Sequence, residues 1–351
     1  MLIDLRSDTA TRPDKGMMDA MLSAKVGDDV FGEDPTVNEL QAKTAELFGM
    51  EAGLFCPSGT MTNQIAIKAH TQPGDEVICD SNAHIYNYEG AGIAFNSGVQ
   101  AKLIVGDRGR IKAEQIVEAI NLNYDWLAKT SLVSIENTSN RSGGSYYEMH
   151  EMKKISALCA DKNLKFHLDG ARIMNALIEM PIDEKLNDKK KVKLLAPQVG
   201  AFFDSISVCF SKSLGTPVGS VLLGSKDFIA RSRRIRKVFG GGMRQAGFLA
   251  AAGLYALEHN LERLRDDHRR AKQLAEVLSA QNYIESIFPV ETNIVIFTLN
   301  DAIQASDFVT RLREENIVCS AFGIQKIRFV THLDFTDEML DKVIEVLKKI
   351  K

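Results

Sequence analysis

Short apolar segments rich in β-branched residues alternate with longer segments of helical period over the first two thirds of the chain. The segments with strand character are GLFCP (53–57), EVICD (76–80), AKLIV (101–105), TSLVSIEN (130–137), LKFHLDG (164–170), SISVCF (205–210) and GSVLLG (219–224). This alternation constrains the fold more than any other feature, because an unbroken apolar strand must be covered on both faces. It predicts an α/β fold with a mostly parallel sheet and helices on either side.

The last third of the chain has a different pattern. Residues 247–281 indicate one or two long helices, and the strand-like segments TNIVIFTL, IVCSAFG and KIRFVTH follow, with helices between and after them. This order predicts a small α+β domain whose sheet starts near residue 290. We therefore expect a large domain over residues 1–250 and a small C-terminal domain over 251–351. The Lys-rich segment 182–197 is expected to be a solvated surface excursion.

Composition limits the partners and the compartment. The formal net charge of −3 gives no electrostatic reason to expect nucleic acid. No apolar run reaches the roughly 18 residues of a membrane span, and charges interrupt the N-terminus where a signal peptide would be apolar. The five cysteines are odd in number and lack C-x-x-C spacing, which favours reduced thiols. We expect a cytoplasmic protein that binds neither nucleic acid nor membrane.

The segment CPSGTMTNQIAIKAH (56–70) leads from a strand through a small turn into a helical pattern. Such an entry leaves backbone N–H groups free at a helix N-terminus, which suits a phosphate group. An ordinary N-cap by Ser58 or Thr60 explains the same residues. The segment lacks the G-x-x-x-x-G-K-[ST] pattern of a nucleotide-binding loop. Taken alone, it leaves both interpretations open.

Two further strands end in residues that can carry chemistry. FHLDGAR ends in Asp169 and Arg172, and SISVCF is followed by Lys212. Ligands of open α/β sheets lie beyond the carboxyl ends of the strands, although a helix-capping Asp and a surface lysine are common alternatives. A phosphate turn, then a strand-end carboxylate, then a strand-end lysine are the parts that a pyridoxal 5′-phosphate (PLP) site needs.

His84 and the basic segment 231–247 are weaker candidates. His84 follows the strand EVICD and could stack on a planar ring or transfer protons, and a satisfied interior histidine is the alternative. The segment RSRRIRKVFGGGMRQAG contains three glycines before Arg244. This composition favours a tight backbone path that could bring Arg244 to an anion, and a solvated basic helix face is the alternative.

Nine motifs occur together in a fixed order: DLRSDTATRP, FGEDPTVNELQ, PSGTMTNQIA, HIYNYEGAG, IENTSN, HLDGARIMNA, CFSKSLGTPVGS, KVFGGGMRQAG and IRFVTH. With these motifs the chain resembles the L-threonine aldolases of the low-specificity or L-allo-threonine type, over nearly its whole length. These are PLP enzymes of fold type I, the aspartate aminotransferase-like fold, within the β-eliminating lyases. The resemblance implies that the large domain binds PLP and that residues 1–30 contribute to the active site.

The resemblance implies cleavage of L-threonine, L-allo-threonine and other β-hydroxy-α-amino acids to glycine and an aldehyde such as acetaldehyde. The alternatives are a related PLP β-eliminating lyase, a phenylserine aldolase or an aminotransferase on the same fold. The resemblance further implies a homotetramer built from tight dimers, with sites shared between subunits. No cluster of ligand residues identifies a metal site.

The roles of individual residues follow from the resemblance alone. Lys212 would hold PLP covalently, Asp169 would pair with the pyridine nitrogen, and His84 would stack on the ring. Arg328 would reach in from the small domain to bind the substrate carboxylate. The implied sets are Lys212, His84 and Asp169 for catalysis; Ser58, Gly59, Thr60, His84, Asp169, Arg172, Ser211, Lys212 and Arg244 for the cofactor; and Ser7, Arg172 and Arg328 for the substrate.

Two positions depart from the family pattern. The chain has Ser139 where the family usually has histidine, and Trp126 where many members carry a second histidine that contacts the substrate hydroxyl. The hydroxyl would then need another base, such as His84 or a bound water. The departures leave the preferred diastereomer and aldehyde open.

Overall fold

A computed structural model describes residues 2–182 and 185–350 of the chain. The strands, in chain order, are β1 (Ile3–Asp4), β2 (Ala52–Cys56), β3 (Asp75–Asp80), β4 (Gln100–Ile104), β5 (Lys129–Glu136), β6 (Lys165–Gly170), β7 (Ser205–Cys209), β8 (Ser220–Gly224), β9 (Ile284–Ile287), β10 (Ile294–Leu299), β11 (Ile317–Val318), β12 (Ser320–Ala321) and β13 (Lys326–Val330).

The helices cover both faces of the larger sheet and one side of the smaller one. They are α1 (Lys15–Leu22), α2 (Pro35–Leu47), α3 (Gly59–His70), α4 (His84–Asn87), α5 (Gly92–Ser97), α6 (Ala113–Ala119), α7 (Met149–Asp161), α8 (Ile173–Glu179), α9 (Asp188–Gly200), α10 (Lys226–Val238), α11 (Gly247–His259), α12 (Leu264–Ser279), α13 (Ala305–Glu314) and α14 (Asp337–Lys349). None of those within the described residues has the length and apolar character that crossing a membrane requires.

The larger sheet has the strand order β2-β8-β7-β6-β5-β3-β4 within the described residues. Neighbouring strands from β7 to β4 pair in parallel, and β8 runs antiparallel to both β7 and β2. The seven predicted strands and the mostly parallel sheet are therefore confirmed. Because β2, β3, β5, β6 and β7 point the same way, their carboxyl ends meet at one edge of the sheet.

The second sheet is antiparallel, with the strand order β12-β13-β10-β9 in the described residues. It starts at Ile284, earlier than predicted, because Ile284–Ile287 pairs with β10. The N-terminal strand β1 pairs in parallel with β11, so the chain start joins the C-terminal part of the fold. Ile3 and Leu5 are accordingly buried in the second hydrophobic core and not in the first. The division at residue 250 stays a prediction.

The expectation for segment 182–197 is wrong where the structure describes it. Asp183 and Glu184 lie outside the described residues, but Asp188 to Gly200 forms helix α9, capped by Asn187, whose Oδ1 accepts from Lys190 N over 3.0 Å. Buried apolar residues recur at helical spacing in α9, namely Val192, Leu195, Ala196 and Val199. Interspersed lysines concealed this stripe in the sequence.

A partly buried acid–base contact joins the two parts of the chain. Glu179, at the end of α8, accepts hydrogen bonds from His268 Nδ1 over 2.7 Å and from Lys272 Nζ over 3.2 Å, both on α12. Burial alone would raise the pKa of Glu179, but the hydrogen bond and charge of His268, with Lys272, lower it to about 2. The ionised Glu179 carboxylate therefore stabilises the contact between α8 and α12.

We expect Glu179→Gln to lower the free energy of unfolding at neutral pH by about 1 to 2 kcal/mol, because it weakens a largely buried charged hydrogen bond. A carboxyl whose pKa is depressed by folding stabilises above its unfolded pKa, about 4.3, and loses that effect as the pH falls toward 2. The difference between variant and wild type should therefore shrink below about pH 4. Urea unfolding of both proteins at several pH values measures this difference in the free energy of unfolding.

The matched control is Glu258→Gln, because Glu258 makes an exposed ion pair with Lys189. Removing such an exposed pair should change the free energy of unfolding much less than Glu179→Gln does, because solvent screens the charges. Equal effects of the two substitutions, or a Glu179→Gln effect that does not vary with pH, would contradict the role given to Glu179.

Candidate active site

The carboxyl-end edge of the larger sheet collects the titratable side chains singled out in the sequence. Lys212 follows β7, Asp169 lies at the end of β6, and His84 begins α4 after β3. Glu136, the last residue of β5, joins them because it is paired in register with Asp169. The structure thus brings the three sequence-predicted residues to one edge and adds a fourth.

Lys212 lies in the loop between β7 and β8, and its backbone is fixed from two sides. Its carbonyl accepts from Gly215 N over 2.8 Å and from Thr11 Oγ1 over 3.4 Å. Gly215 has φ +79°, a left-handed conformation that favours glycine. Within the described part of the chain, no hydrogen bond or ion pair holds the Lys212 ammonium group. A fixed backbone therefore presents a free, half-buried amine.

Asp169 is buried, and its two carboxylate oxygens have different donors. Oδ1 accepts from Ala171 N over 3.2 Å, and Oδ2 accepts from Asn63 Nδ2 on α3 over 2.9 Å. No arginine or lysine pairs with this carboxylate among the described residues. The Asp169 carboxylate is therefore hydrogen-bonded only by neutral donors, and it remains available to pair with a cationic group of a ligand.

His84 and Glu89 form a pair beside Asp169. His84 Nδ1 lies 2.9 Å from Glu89 Oε1. One ring nitrogen of His84, one carboxylate oxygen of Glu89 and one of Asp169 all lie within 4.8 Å of one another. Burial alone would lower the pKa of His84, but the hydrogen bond with Glu89 and the charges of Asp169 and Glu89 raise it. Glu89 orients the imidazole through Nδ1 and leaves Nε2 outside that contact.

Glu136 is a buried acid that sequence reasoning missed. Its Oε1 accepts from Asn140 N and its Oε2 from His84 N, each over 2.9 Å. Burial, and next the negative charge of Asp169, raise the pKa of Glu136 to about 7. The sequence contains a signal for Glu136, because an acid stands at the end of the apolar strand TSLVSIEN just as Asp169 stands at the end of FHLDG.

The first turn of α3 satisfies both interpretations of the PSGT segment. Ser58 is the N-cap, and its Oγ accepts from Met61 N over 3.2 Å. The N–H groups of Gly59 and Thr60 have no acceptor among the described residues. Beneath them, the buried hydroxyl of Ser220 has no hydrogen-bond partner there either, and Ser220 Oγ would lie 3.6 Å from a Cβ at Gly59. Such a set of unpaired donors suits an anion.

Asp8 and Arg172 form a buried pair near Lys212. Arg172 donates from Nε and Nη2 to the two oxygens of Asp8, each over 2.7 Å, and Ser213 Oγ donates to Asp8 over 2.8 Å. Burial alone would raise the pKa of Asp8, but the charges of Arg172 and then Lys212 hold it well below its usual range. Ser7 precedes this pair, and its Oγ accepts from Thr9 N and Thr9 Oγ1.

Arg328 on β13 approaches the same region from the second sheet. It donates from Nη1 to Asn140 Oδ1 over 3.0 Å and from Nη2 to Arg6 O over 2.9 Å, while its Nε is buried with no partner among the described residues. Burial, and next the positive charge of Arg172, lower the pKa of Arg328. An anionic ligand beside Arg328 would offset this positive charge and could accept from its unpaired Nε.

Three residues named in the sequence analysis do not join this group within one chain. Arg244 is exposed and pairs with Asp28 over 2.9 Å. Trp126 is exposed and precedes β5, so it lies at the opposite edge of the sheet from Lys212. Ser139 is buried, and its N–H donates to Ser145 O over 2.9 Å. Ser211, beside Lys212, does belong to the edge, with its Oγ 3.6 Å from Cys209 Sγ.

The fold defines a class of proteins. A threonine aldolase from Leishmania major has a similar structure, with a TM-score of 0.82 and 21% identity over 99% of each chain. A putative aromatic amino acid β-eliminating lyase/threonine aldolase from Exiguobacterium sp. 255-15 has a TM-score of 0.78 over 96% of this chain and 94% of that one, at 21% identity. With its mostly parallel sheet and separate antiparallel sheet, the chain has the fold of the type I PLP enzymes.

The amino-acid sequence narrows this class. Residues 4–302 match the beta-eliminating lyase family. The chain is 39% identical to the low specificity L-threonine aldolase of Escherichia coli K12 over 97% of each chain. It is also 39% identical to low-specificity L-threonine aldolase 1 of Arabidopsis thaliana, over 95% of this chain and 92% of that one. The protein belongs to the beta-eliminating lyase family, whose fold type I members are PLP enzymes.

Proposed function

We propose that the protein is a PLP-dependent aldehyde-lyase. It would cleave L-threonine, L-allo-threonine and related β-hydroxy-α-amino acids to glycine and an aldehyde, acetaldehyde in the case of threonine. The observation that carries the proposal is the 39% identity to a low specificity L-threonine aldolase over 97% of this chain. The arrangement of Lys212, Asp169 and Arg328 is compatible with this chemistry.

The residues at the sheet edge fit PLP as a cofactor. Lys212 would hold the cofactor covalently through its side-chain nitrogen, with loss of water from the cofactor's aldehyde group, and the Asp169 carboxylate would pair with the protonated ring nitrogen. The unpaired donors of Gly59, Thr60 and Ser220 suit its phosphate, with Ser58 and Ser211 beside them. When bound, PLP supplies the electron sink for the carbon at which the substrate bond breaks.

The chain's own groups would hold the substrate carboxylate. Arg172 and Arg328 provide two guanidinium groups, and the unpartnered Nε of Arg328 is a free donor. An arginine fork can meet a carboxylate with two parallel hydrogen bonds. Ser7 would add a hydroxyl at the same place, and Asp8 would keep Arg172 oriented.

The base for the substrate hydroxyl would be His84. Its Nδ1 is used by Glu89, so Nε2 is the nitrogen able to accept the β-hydroxyl proton. The Glu89 carboxylate would stabilise the imidazolium ion that results, and thereby favour aldehyde release. This assignment gives the hydroxyl a base although the chain has Ser139 where the family usually has histidine, and although Trp126 lies at the opposite edge of the sheet from Lys212.

A homo-oligomer, a dimer of dimers, is part of the proposal. Asp29 N donates to Arg244 O over 3.1 Å, and Phe31 and Val238 beside this contact are 74% and 78% exposed. A surface with such apolar residues favours association. In such an oligomer, Arg244 of one subunit would lie near the PLP phosphate bound by its neighbour. The five cysteines are free thiols in the structure, which supports a cytoplasmic location.

The function is tested by product analysis of the PLP-loaded protein with the two threonine diastereomers. Equal amounts of glycine and acetaldehyde are expected from at least one of them. Pyruvate and ammonia from a β-substituted amino acid, without glycine from either diastereomer, would identify a β-eliminating enzyme instead. Transfer of the amino group to an oxo acid would identify an aminotransferase.

We expect Arg328→Lys to raise the KM for threonine about tenfold to a hundredfold, with a smaller effect on kcat. The lysine keeps the charge but loses the planar fork that binds a carboxylate at two points. Steady-state kinetics measure the two constants separately. Arg311→Lys on α13 is the control for a change of arginine to lysine in the same part of the chain, and it should leave KM unchanged. A KM for Arg328→Lys equal to that of the wild type would remove Arg328 from the substrate site.

A further inference from the structure

Asn63, on α3, holds two carboxylates with one amide group. Its Nδ2 donates to Asp169 Oδ2 and to Glu89 Oε1, each over 2.9 Å. An amide nitrogen has two hydrogens, so both are used on these acids. The carbonyl oxygen of Asn63 can only accept hydrogen bonds. Asn63 is buried, and that oxygen needs a donor from within the protein.

A chain of buried side chains leads away from this oxygen. His167 Nε2 lies 3.2 Å from Asn63 Oδ1, and His167 Nδ1 lies 2.8 Å from Ser205 Oγ. Ser205 Oγ also lies 2.8 Å from His70 Nε2. Burial lowers the pKa of both His167 and His70 to about 3, so each histidine is neutral and carries a single N–H.

Once Asn63 Oδ1 accepts from His167, the remaining hydrogen bonds have one direction. His167 must donate from Nε2 to Asn63, because Asn63 Oδ1 can only accept. His167 Nδ1 must then accept from the Ser205 hydroxyl, and the Ser205 oxygen in turn accepts from His70 Nε2. Every donor in the series points toward the carboxylates of Asp169 and Glu89.

We propose that His167 is a positioning residue that acts through Asn63 to hold the Asp169 carboxylate hydrogen-bonded and aimed into the site, with Ser205 and His70 as the outer part of the same hydrogen-bond chain. The proposal rests on the proposed function only in that PLP is the group Asp169 serves. His167 and Asp169 are two residues apart on β6 and so lie on one face of the strand, whereas Leu168 lies on the other.

The physical basis is polarisation along the chain. Hydrogen bonds in series, buried and oriented toward a negative charge, strengthen one another. His167 thereby makes the Asn63 amide a better donor to the Asp169 carboxylate, which has no cationic partner among the described residues. Without the His167 donor, the Asn63 oxygen would be buried and unpaired, which favours rotation of the amide away from Asp169.

The test compares His167→Leu, which removes the donor, with His167→Gln, whose amide can still donate to Asn63. Two properties are measured with PLP itself: its dissociation constant from the full-length protein, and the NMR signal of its isotope-labelled ring nitrogen, which reports ring protonation. We expect His167→Leu to weaken PLP binding about tenfold and to shift the nitrogen signal toward the unprotonated form. His167→Gln should restore both values to near those of the wild type.

Leu168→Ala is the control for lost packing in the same strand, and it should leave the nitrogen signal unchanged. If His167→Leu does not fold, Ser205→Ala, which breaks the chain one step further out, should shift the signal in the same direction by a smaller amount. The proposal would be overturned by an unchanged signal in the folded His167→Leu or Ser205→Ala variant. Equal shifts in His167→Leu, His167→Gln and Leu168→Ala would also overturn it.

Failure of this proposal is distinguishable from failure of the proposed function. Absence of aldehyde release from threonine by the wild type would overturn the aldolase assignment, but it would leave PLP affinity and ring protonation measurable. An unchanged nitrogen signal in the variants, with normal threonine cleavage by the wild type, would overturn only the role of His167.

Discussion

Replacing Lys212 by alanine should abolish the covalent attachment of PLP and lower the rate of threonine cleavage about a thousandfold or more. Lys212 is the lysine that the structure presents with a fixed backbone and a free ammonium group at the carboxyl-end edge of the sheet. Its loss removes the amine that would bond to the cofactor. The absorbance spectrum after addition of PLP should lack the visible band of the wild type, and an aldehyde-release assay should give the rate.

Lys226→Ala is the matched control, because Lys226 is exposed at the start of α10. This variant should keep the visible band and full activity. The account would be contradicted if Lys212→Ala retained both the band and more than about a tenth of the wild-type rate, a loss far smaller than removal of a covalent catalyst produces.

Asp169→Asn should lower kcat about a hundredfold or more, which corresponds to about 2.7 kcal/mol of lost transition-state stabilisation. The substitution keeps the size of the side chain but removes the negative charge that would hold the ring nitrogen protonated. The loss should be mainly in kcat, because the arginines that would bind the substrate carboxylate are unchanged. Steady-state kinetics at saturating PLP measure the effect.

Asp161→Asn at the exposed end of α7 provides the control for a change of Asp to Asn, and its activity should equal that of the wild type. A kcat for Asp169→Asn within about threefold of the wild type would mean that the charge of Asp169 is not part of catalysis, since a preorganised charge at the reacting group contributes about a hundredfold or more.

The larger sheet could be predicted because burial dictates its sequence pattern. A strand covered on both faces must be apolar along its whole length, and SISVCF and TSLVSIEN are recognisable for this reason. Parallel strands also bring their ends together, so the sequence alone places Asp169 and Lys212 at one edge of the sheet. Their distance along the chain does not matter for this inference.

The hydrogen-bond partners of these residues could not be predicted in the same way. Asn63 and His167 are polar residues inside a helix and a strand, and their contacts depend on how α3 lies on the sheet. The same is true of the Asp8–Arg172 pair, which joins residues 164 positions apart. Local patterns give no register between such distant segments.

Helix α9 shows a different limit. Its lysines made the segment look solvated, yet a Lys side chain can lie along a buried stripe and keep its ammonium group near polar atoms. Lys191 is buried and donates to Ile178 O over 2.5 Å. The number of charged residues therefore does not predict the burial of this segment. The spacing of its apolar residues indicates a helix, namely Val192, Leu195, Ala196 and Val199.

Chemical identification of the cofactor lysine tests the central claim most directly. Borohydride reduction of the PLP-loaded protein makes the bond between lysine and cofactor permanent, and peptide mapping by mass spectrometry then locates the modified residue. We predict one phosphopyridoxyl group per chain, on Lys212 in the segment CFSKSLGTPVGS. Modification of a different lysine, or no stable modification of a protein that still cleaves threonine, would contradict the account.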